Sequence, residues 1–371
     1  MKIGIITFHA VYNYGAVLQA YSLQKIFEDL QIDSEIIDFR KQSQIDYTSL
    51  YSKRKGIKSM VKNIMIIPKH KKRKVRIEKF DRFIENELVK SEQLYKCEEE
   101  LRQSNLVYNV FFTGSDQVWN TKKSSDYSAA YFLDFVDKNN LNRYAYAASI
   151  GNADKEDLVS QENMLKKYKK ISCREKRGTE IVSSIVGSDV DLVLDPTLLV
   201  DIKHLRKYVD SSSISKPYLF YYSLDGFDKR KNNVDMIYAL ANKFNLNVKI
   251  VTPEWVYTGK HGEQCISAGI EDFLTLIANA ELICTNSFHG TALSIKFNKS
   301  FYVLENYDGK DDRKKTILEE LQLTDRCISD IGQIESINDY KINYADKVQV
   351  LKRLQEKSLA YIKECIQESI L

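Results

Sequence analysis

The sequence predicts an α/β protein made of two halves, each a parallel sheet with flanking helices. Apolar runs of strand length alternate with segments of helical spacing, beginning with a strand at Lys2–Phe8, a helix at Ala16–Leu30 and a strand at Ser34–Phe39. The alternation resumes after about residue 91, and a second series begins at Tyr218. Only four prolines occur in 371 residues, which favours regular elements with short connections.

The later strands support this division into two halves. We place the first domain at residues 1–190 and the second at residues 191–371, with a long closing helix at Ala345–Ile370. Because ligands of parallel α/β sheets bind outside the carboxyl ends of the strands, a cleft between the halves is the expected binding site. The remaining predicted strands are Leu106–Thr113, Arg143–Ala148, Ile171–Cys173, Val190–Val193, Tyr218–Ser223, Asn247–Val251, Glu281–Thr285 and Ser300–Leu304.

A basic insertion at about residues 41–91 breaks the alternation. Tyr51–Lys79 is rich in lysine and arginine, and an apolar helical patch covers Ile57–Ile67 and ends at Pro68. Two interpretations stay open. The patch and its basic neighbours suit peripheral contact with the inner face of an anionic membrane. A solvated basic helix is the favoured interpretation, since a packed helix also needs one short apolar face.

Composition narrows the location and the partners. Lysine and arginine exceed aspartate and glutamate by 55 to 51, and this net charge of +4 does not indicate nucleic-acid binding. No apolar run reaches the roughly 18 residues of a membrane span, and Met1–Phe8 does not resemble a signal peptide. Six scattered cysteines indicate reduced thiols. The expectation is a cytoplasmic protein.

Neither a metal site nor a dinucleotide site is predicted. The cysteines and histidines lack the paired spacing of zinc ligands. The first strand–helix loop, His9–Gly15, lacks the G-x-G-x-x-G fingerprint, which removes support for nicotinamide or flavin cofactors.

The stretch Leu282–Ser294 carries the strongest functional signal. An apolar strand is followed by polar residues, a single histidine at His289 and then a helical pattern. Backbone N–H groups at a helix N-terminus attract anions, and histidine can exchange a proton near neutral pH. The alternative is a capped helix start with a structural histidine.

Two further strand ends carry candidate chemistry. Asp116 follows Gly114-Ser115 and could orient sugar hydroxyls or act as a base, whereas the alternative is an ordinary helix cap. Trp119 could stack on a sugar or pack in the core. Arg174 could fork onto a phosphate or carboxylate, or form a structural pair with Glu175.

Weaker candidates lie at the same predicted sheet edges. Arg313 belongs to the charge run Asp311–Lys315 and could reach an anionic ligand, although such runs are usually solvated. His9 and Asn13 occupy the first loop.

Four segments together resemble a known family. They are Tyr12–Tyr21, Thr113–Asn120, Asp195–Thr197 and Asn286–Thr291, and their order and spacing are more specific than any one of them. Over nearly its whole length, apart from the basic insertion, the chain resembles the polysaccharide pyruvyl transferase family.

The resemblance implies a GT-B-like fold in which two Rossmann-like domains face each other across a cleft. It also implies transfer of the pyruvyl group of phosphoenolpyruvate to two hydroxyls of a sugar, forming a ketal. The acceptor would belong to a capsule or exopolysaccharide, or to its polyprenyl-linked precursor. Two alternatives stay open: a glycosyltransferase of the same architecture that uses a nucleotide sugar, and a sugar-binding relative without catalysis.

The resemblance also assigns residues. His289 matches the family's functional histidine and is expected to act as general acid/base, and Arg174 matches a donor-binding arginine. Relatives carry an arginine two residues before that histidine, where this chain has Ser287. Part of the donor binding is therefore expected from Arg313 and from backbone N–H groups at the helix start. Together with the candidates taken from the residues themselves, the full expected set is His289 and Asp116 for catalysis, Arg174, Ser287, Gly290, Thr291 and Arg313 for the donor, and His9, Asn13 and Trp119 for the acceptor.

Overall fold

Two parallel six-stranded sheets form the framework of the protein in the computed structural model. This confirms the predicted α/β architecture with two halves. The structure describes residues 1–51, 60, 63–64, 67–122, 127–137, 139–212, 216–224, 227–252, 262–304 and 312–370.

The first sheet is built from residues 2–192. Its strands are β1 (Lys2–Ile6), β2 (Asp33–Ile36), β3 (Val110–Thr113), β4 (Arg143–Ala148), β5 (Lys170–Cys173) and β6 (Asp191–Leu192). They lie in the order β2-β1-β3-β4-β5-β6, and every neighbouring pair is parallel. The central strands β3 and β4 are buried along their whole length, which explains their continuous apolar sequences.

The second sheet repeats this arrangement. Its strands are β7 (Tyr218–Tyr222), β8 (Asn247–Val251), β9 (Glu263–Gln264), β10 (Leu282–Thr285), β11 (Phe301–Leu304) and β12 (Cys327–Ile328). They lie in the order β12-β11-β10-β7-β8-β9, again with parallel pairing throughout.

Helices connect the strands and cover the sheets. In chain order, those with α-helical geometry are α1 (Tyr14–Asp29), α2 (Gln42–Thr48), α3 (His70–Glu87), α4 (Glu98–Arg102), α5 (Lys155–Leu158), α6 (Glu162–Leu165), α7 (Lys176–Val186), α8 (Pro196–Leu199), α9 (Lys203–Arg206), α10 (Phe227–Lys243), α11 (Ile270–Ala278), α12 (Phe288–Lys296), α13 (Asp312–Glu320), α14 (Gly332–Glu335) and α15 (Ala345–Ile370).

One apolar cluster joins the two halves. It runs from Val17 on α1 and Phe112 on β3 to Phe220 on β7 and Leu293 on α12. Helices α1, α8 and α12 contact one another between the sheets. The carboxyl ends of the two sheets are therefore held facing each other by continuous packing.

The long helix α15 crosses from the second half to the first. Just before it, the hydroxyl of Tyr344 donates a hydrogen bond to the carbonyl of Lys299 (2.8 Å), and further along Tyr361 donates to the carbonyl of Ala145 on β4 (2.8 Å). The hydroxyl of Ser358 accepts from the amide of Leu194 (2.9 Å). The sequence groups this helix with the second domain, but its last turns pack on the first sheet because their apolar stripe continues into the core there.

The basic insertion contributes the helix α3, which packs between the halves. Phe80 and Phe83 are buried, and Phe80 contacts the ring of Tyr14 with centroids 5.0 Å apart. The ammonium of Lys79 donates to Asp272 on α11 at 2.7 Å. Most of the apolar patch Ile57–Ile67 lies outside the described residues, so membrane contact stays a prediction. Among the described helices, none is both long and apolar enough to cross a bilayer.

Candidate functional site

The carboxyl ends of both sheets meet around the carboxylate of Asp195. Asp195 caps α8, and its Oδ1 accepts from the amide and the hydroxyl of Thr197 (3.0 and 2.7 Å). Its Oδ2 accepts from the hydroxyl of Ser115, after β3, and from Nη1 of Arg174, after β5 (2.8 and 2.7 Å). A carboxylate that is 1% exposed thus collects donors from several strand ends.

The electrostatics keep this carboxylate ionised. Burial alone would raise the pKa of Asp195, but the neighbouring His289 and Arg174 and the hydrogen bond from Thr197 outweigh burial and hold that pKa far below its usual range. Asp195 is therefore a fixed negative charge at neutral pH.

Arg174 links the two halves. Its Nη2 donates weakly to Oδ1 of Asp116 (3.3 Å), and its guanidinium lies over the ring of Phe288, the first residue of α12, at 4.4 Å. Its Nε is 3.9 Å from Oε2 of Glu175. Nε of Arg174 and Oε2 of Glu175 are both buried, and neither has a hydrogen-bond partner among the described residues. A buried guanidinium with one N–H group that lacks a hydrogen-bond partner can bind a further anion.

Asp116 adopts a strained backbone conformation. Its φ is 77°, which is uncommon for a residue with a side chain, and its carbonyl accepts from the amide of Ser149 at 3.0 Å. Its Oδ1 accepts from the amide of Gln117 at 2.8 Å. No helix begins in the described stretch 114–122, so Asp116 is not the helix cap of the alternative interpretation. In this conformation the Asp116 carboxylate lies at the edge of the sheet, and its side chain is 14% exposed.

His289 lies where the two halves touch. It belongs to the first turn of α12, its side chain is 8% exposed, and its Nε2 is 3.7 Å from Oδ2 of Asp195. On its other side, the ring rests against Gly15 of α1, and a Cβ at Gly15 would lie 2.0 Å from Nδ1. The imidazole therefore occupies space that only a glycine leaves open.

Two of the predicted anion donors at the N-terminus of α12 have partners within the helix. The hydroxyl of Ser287 accepts from the amide of Gly290 (3.4 Å), and the carbonyl of Ser287 accepts from the amide and hydroxyl of Thr291 (3.0 and 3.1 Å). These groups are used by the helix itself, which corrects the prediction that Gly290 and Thr291 bind the donor through N–H groups. Gly290 instead allows close packing on β10, since a Cβ there would lie 2.3 Å from Oγ1 of Thr285.

A second cation reaches the same loop from α13. Lys314 is 3% exposed, and its ammonium donates to the carbonyl of Asn286 at 2.7 Å. The neighbouring Arg313 is half-buried. Burial raises the pKa of Glu175, and the positive charge of Arg313 acts to lower that pKa. Asp312 accepts from the amide of Arg177 at the start of α7 (3.0 Å). The charge run is thus partly an interface between the halves.

Lys314 is a buried cation beside the cluster that sequence reasoning missed. A signal was present, because Lys314 shares one helical face with Ile317, Leu318 and Leu321, at spacings of three, four and seven. A lysine on the apolar face of a helix is the exception within a charge run. The ammonium of Lys314 therefore lies next to Ser287, the residue that stands where relatives carry an arginine.

The predicted acceptor residues are not brought together at this cluster. Trp119 is fully buried, stacks on Phe132 and donates through its indole N–H to the carbonyl of Tyr131 (3.0 Å), which corrects the prediction that it stacks on a sugar. His9 is 1% exposed, and both ring nitrogens have protein partners, the carbonyl of Thr7 (3.1 Å) and Asp38 (2.9 Å). His9 is therefore a structural histidine and not a sugar ligand.

Asn13 caps α1. Its Oδ1 accepts from the amides of Gly15 (3.0 Å) and Ala16 (3.4 Å), and its contact with an acceptor stays a prediction.

A sequence model described as "Polysaccharide pyruvyl transferase" matches residues 13–309. The chain belongs to the polysaccharide pyruvyl transferase family. The match covers Asp116, Arg174, Asp195 and His289, which form the cluster. A comparison with curated protein sequences finds no match.

The solved structures that this chain resembles are distant from it in sequence. A UDP-GlcNAc 2-epimerase from Neisseria meningitidis, bound to UDP-GlcNAc, is 11% identical with a TM-score of 0.50, covering 99% of this chain and 100% of that chain. A UDP-N-acetylglucosamine 2-epimerase from Rickettsia bellii is 9% identical with a TM-score of 0.49, covering 99% and 96%. An E. coli heptosyltransferase is 12% identical with a TM-score of 0.36, covering 86% and 99%. The fold is α/β and GT-B-like, as predicted.

Proposed function

We propose that this protein transfers the pyruvyl group of phosphoenolpyruvate to two hydroxyls of one sugar, in a polysaccharide or its lipid-linked precursor, and so forms a ketal. The observation that carries the proposal is that Arg174, Asp195 and His289 form one buried cluster across the two halves. Family membership supplies the reaction class, and the cluster supplies groups that this reaction needs.

The donor carries a phosphate and a carboxylate, so its binding requires cations in a site with little water. Arg174 is buried and its Nε has no hydrogen-bond partner among the described residues, and Lys314 is buried beside Asn286. Arg174 suits a carboxylate or phosphate because its planar fork can bind two oxygens, whereas Lys314 acts as a point charge. Arg313 is the candidate for an outer contact. Ser287 contributes by fixing the start of the helix that carries His289.

The chemistry requires an acid and a base. The imidazolium of His289 would give its proton to the methylene carbon of phosphoenolpyruvate, which becomes the methyl group, and a cation develops at the neighbouring carbon. The first sugar hydroxyl attacks that carbon and loses its proton to Asp116. The bond to the phosphate oxygen breaks, and phosphate leaves with the electron pair and with the proton held by Asp116, so that hydrogen phosphate departs and Asp116 is again a carboxylate. The second hydroxyl then adds, and its proton returns to the imidazole, so that atoms and charge balance without a metal or organic cofactor.

The test is incubation of the protein with phosphoenolpyruvate and lipid-linked oligosaccharides from its own organism. We expect release of phosphate and, by mass spectrometry, one pyruvyl ketal added to the acceptor. Calorimetry should detect binding of phosphoenolpyruvate and none of UDP- or GDP-sugars. Binding of a nucleotide sugar without phosphate release would refute the proposal and favour the glycosyltransferase alternative.

Two histidine variants test the assigned acid. His289→Ala should lower turnover by about 100-fold or more, the scale of lost general acid–base catalysis. His204→Ala is the matched control. His204 lies on α9, outside the cluster, and pairs with Asp29 at 2.9 Å, so its loss should leave turnover unchanged. Equal activity of the two variants would remove His289 from its role.

A further inference from the structure

In the part of the chain that the structure describes, two separate clusters each contain one aspartate that faces a histidine and an arginine. In the first, Asp38 accepts from Nε2 of His9 (2.9 Å) and from Nη2 of Arg40 (2.8 Å). In the second, Asp195 accepts from Nη1 of Arg174 (2.7 Å) and faces Nε2 of His289 at 3.7 Å. The first is closed, since both nitrogens of His9 are hydrogen-bonded. In the second cluster, Nε2 of His289 is too far from Asp195 for a hydrogen bond.

We propose that Asp195 is a positioning residue that faces the Nε2–H of His289, so that Nδ1 is the nitrogen that exchanges the proton. This inference rests on the proposed function. Asp195 itself is buried behind Ser115, Thr197 and Arg174 and does not reach a substrate. It acts through the histidine, as an aspartate does when it fixes the tautomer and orientation of a catalytic imidazole.

The separation of 3.7 Å between Nε2 of His289 and Oδ2 of Asp195 is longer than a hydrogen bond. Hydrogen bonds of catalytic groups are often long in ligand-free enzymes and tighten in the complex. Arg174 competes for the same oxygen, Oδ2, at 2.7 Å. When an anionic donor draws the guanidinium toward itself, Oδ2 becomes the stronger acceptor for His289. Donor binding and charging of the imidazole are thereby coupled through one oxygen atom.

The surroundings explain why an anion is needed there. His289 lies in the first turn of α12 and against the first turn of α1, and the positive ends of both helix dipoles oppose a charged imidazole. Arg174 lies over the neighbouring ring of Phe288, and Lys314 binds the carbonyl of Asn286 just before the helix.

The balancing negative charges come from other strand ends. Asp195 faces the imidazole directly, and Asp116 and Glu175 lie behind Arg174. Burial raises the pKa of Glu175, so its charge is the least secure of the three. Of these three carboxylates, Asp195 is the one whose oxygen lies within 4 Å of Nε2 of His289.

The experiment follows the five histidines of the full chain by nitrogen-15 NMR as the pH is varied, with His289 assigned from the spectrum of His289→Asn. In the parent, neutral His289 should be the Nε2–H tautomer. In Asp195→Asn, the titration midpoint of His289 should fall by about one pH unit or more, the effect of losing an opposite charge within about 4 Å. Ser115→Ala removes a donor to Oδ2 and should move the midpoint upward.

Asp38→Asn is the matched control, because it should change the titration of His9 and leave that of His289 in place. An unchanged His289 midpoint in Asp195→Asn, or a neutral Nδ1–H tautomer in the parent, would overturn the proposal. If Asp195→Asn does not fold, Ser115→Ala decides alone: an upward shift supports the proposal, and no shift refutes it.

The two proposals fail separately. NMR measures the pair without any substrate, so absence of phosphate release with phosphoenolpyruvate would refute the proposed function and leave the His289–Asp195 result standing. If the enzyme is active, Asp195→Asn should lower kcat by about 100-fold and move the pH profile with the His289 midpoint, which loss of stability alone would not do.

Discussion

Gly15 sets the position of His289, and replacing it with alanine is the sharpest test of the site geometry. An added Cβ would lie 2.0 Å from Nδ1 and 2.2 Å from Cγ of His289, whereas ordinary van der Waals contact begins at 3.4 Å. Either helix α1 or the imidazole of His289 must therefore move by about 1.4 Å, the difference between these two distances. Helix α1 is buried along most of its length, so we expect the imidazole to move.

The expected result is a kinetic defect without a matching loss of stability. Glycine to alanine within a helix normally raises the free energy of unfolding by about 0.4–1 kcal/mol, which offsets part of the steric cost. A catalytic group displaced by about 1 Å can lose about 100-fold in rate, so we expect Gly15→Ala to lower kcat by that order. The assay is phosphate release from phosphoenolpyruvate with a saturating acceptor, alongside thermal unfolding by circular dichroism.

Gly187→Ala is the matched control. Gly187 ends α7 with a φ of 76° and has open space around its Cβ position, so alanine there strains only the backbone. We expect it to cost about 1 kcal/mol of stability and no activity. If Gly15→Ala retained kcat to within about threefold of the parent, the argument that Gly15 positions His289 would be wrong.

Four other substitutions have distinct expected outcomes. Arg174→Lys should raise the KM for phosphoenolpyruvate by about tenfold or more, because a point charge replaces a fork, and an unchanged KM would contradict this. Lys314→Met should also raise the donor KM by about tenfold, with little change in the acceptor KM, as steady-state kinetics with each substrate varied would show. Trp119→Phe should lower the free energy of unfolding by about 1–2 kcal/mol in urea titrations and leave the acceptor KM unchanged, since the indole is buried and bonded to Tyr131; a raised acceptor KM would reopen the sugar-stacking role. Burial raises the folded-state pKa of Glu175 above its ordinary 4.5. Between the unfolded-state and folded-state pKa values the folded protein binds more protons, so the stability of the parent falls as the pH rises through that range. Glu175→Gln cannot ionise, and its urea midpoint should fall less between pH 5 and pH 8 than that of the parent.

Much of the framework could be predicted from the sequence because strand burial leaves a local pattern. Arg143–Ala148 and Asn247–Val251 have the predicted bounds, since strands that are largely buried in a parallel sheet are rich in apolar residues. The strands Glu263–Gln264 and Cys327–Ile328 were missed, because two residues at a sheet edge are too few to form a pattern. The crossing of α15 onto the first sheet was also missed, because periodicity identifies an apolar face and not the surface that it covers.

The site divides along the same line. The residues that follow the strands, such as Asp116, Arg174 and His289, were visible in the sequence because polar residues stand out after buried strands. Trp119, His9, Gly290 and Thr291 were misjudged, because whether a polar group is free depends on partners that the chain places next to it. Lys314 was missed for the same reason, since its neighbour Asn286 is distant in the chain and close in space.

The sequence by itself determined two α/β halves, the family and the chemical character of the strand ends. Only the tertiary structure decided that Asp195, first a part of a family motif, gathers Ser115, Arg174 and His289 around one carboxylate. It also decided that Gly15 makes room for the imidazole. The physical reason is that periodicity and composition are properties of neighbouring residues, whereas burial of a charge and contact between two helix starts arise only when distant strand ends are packed together.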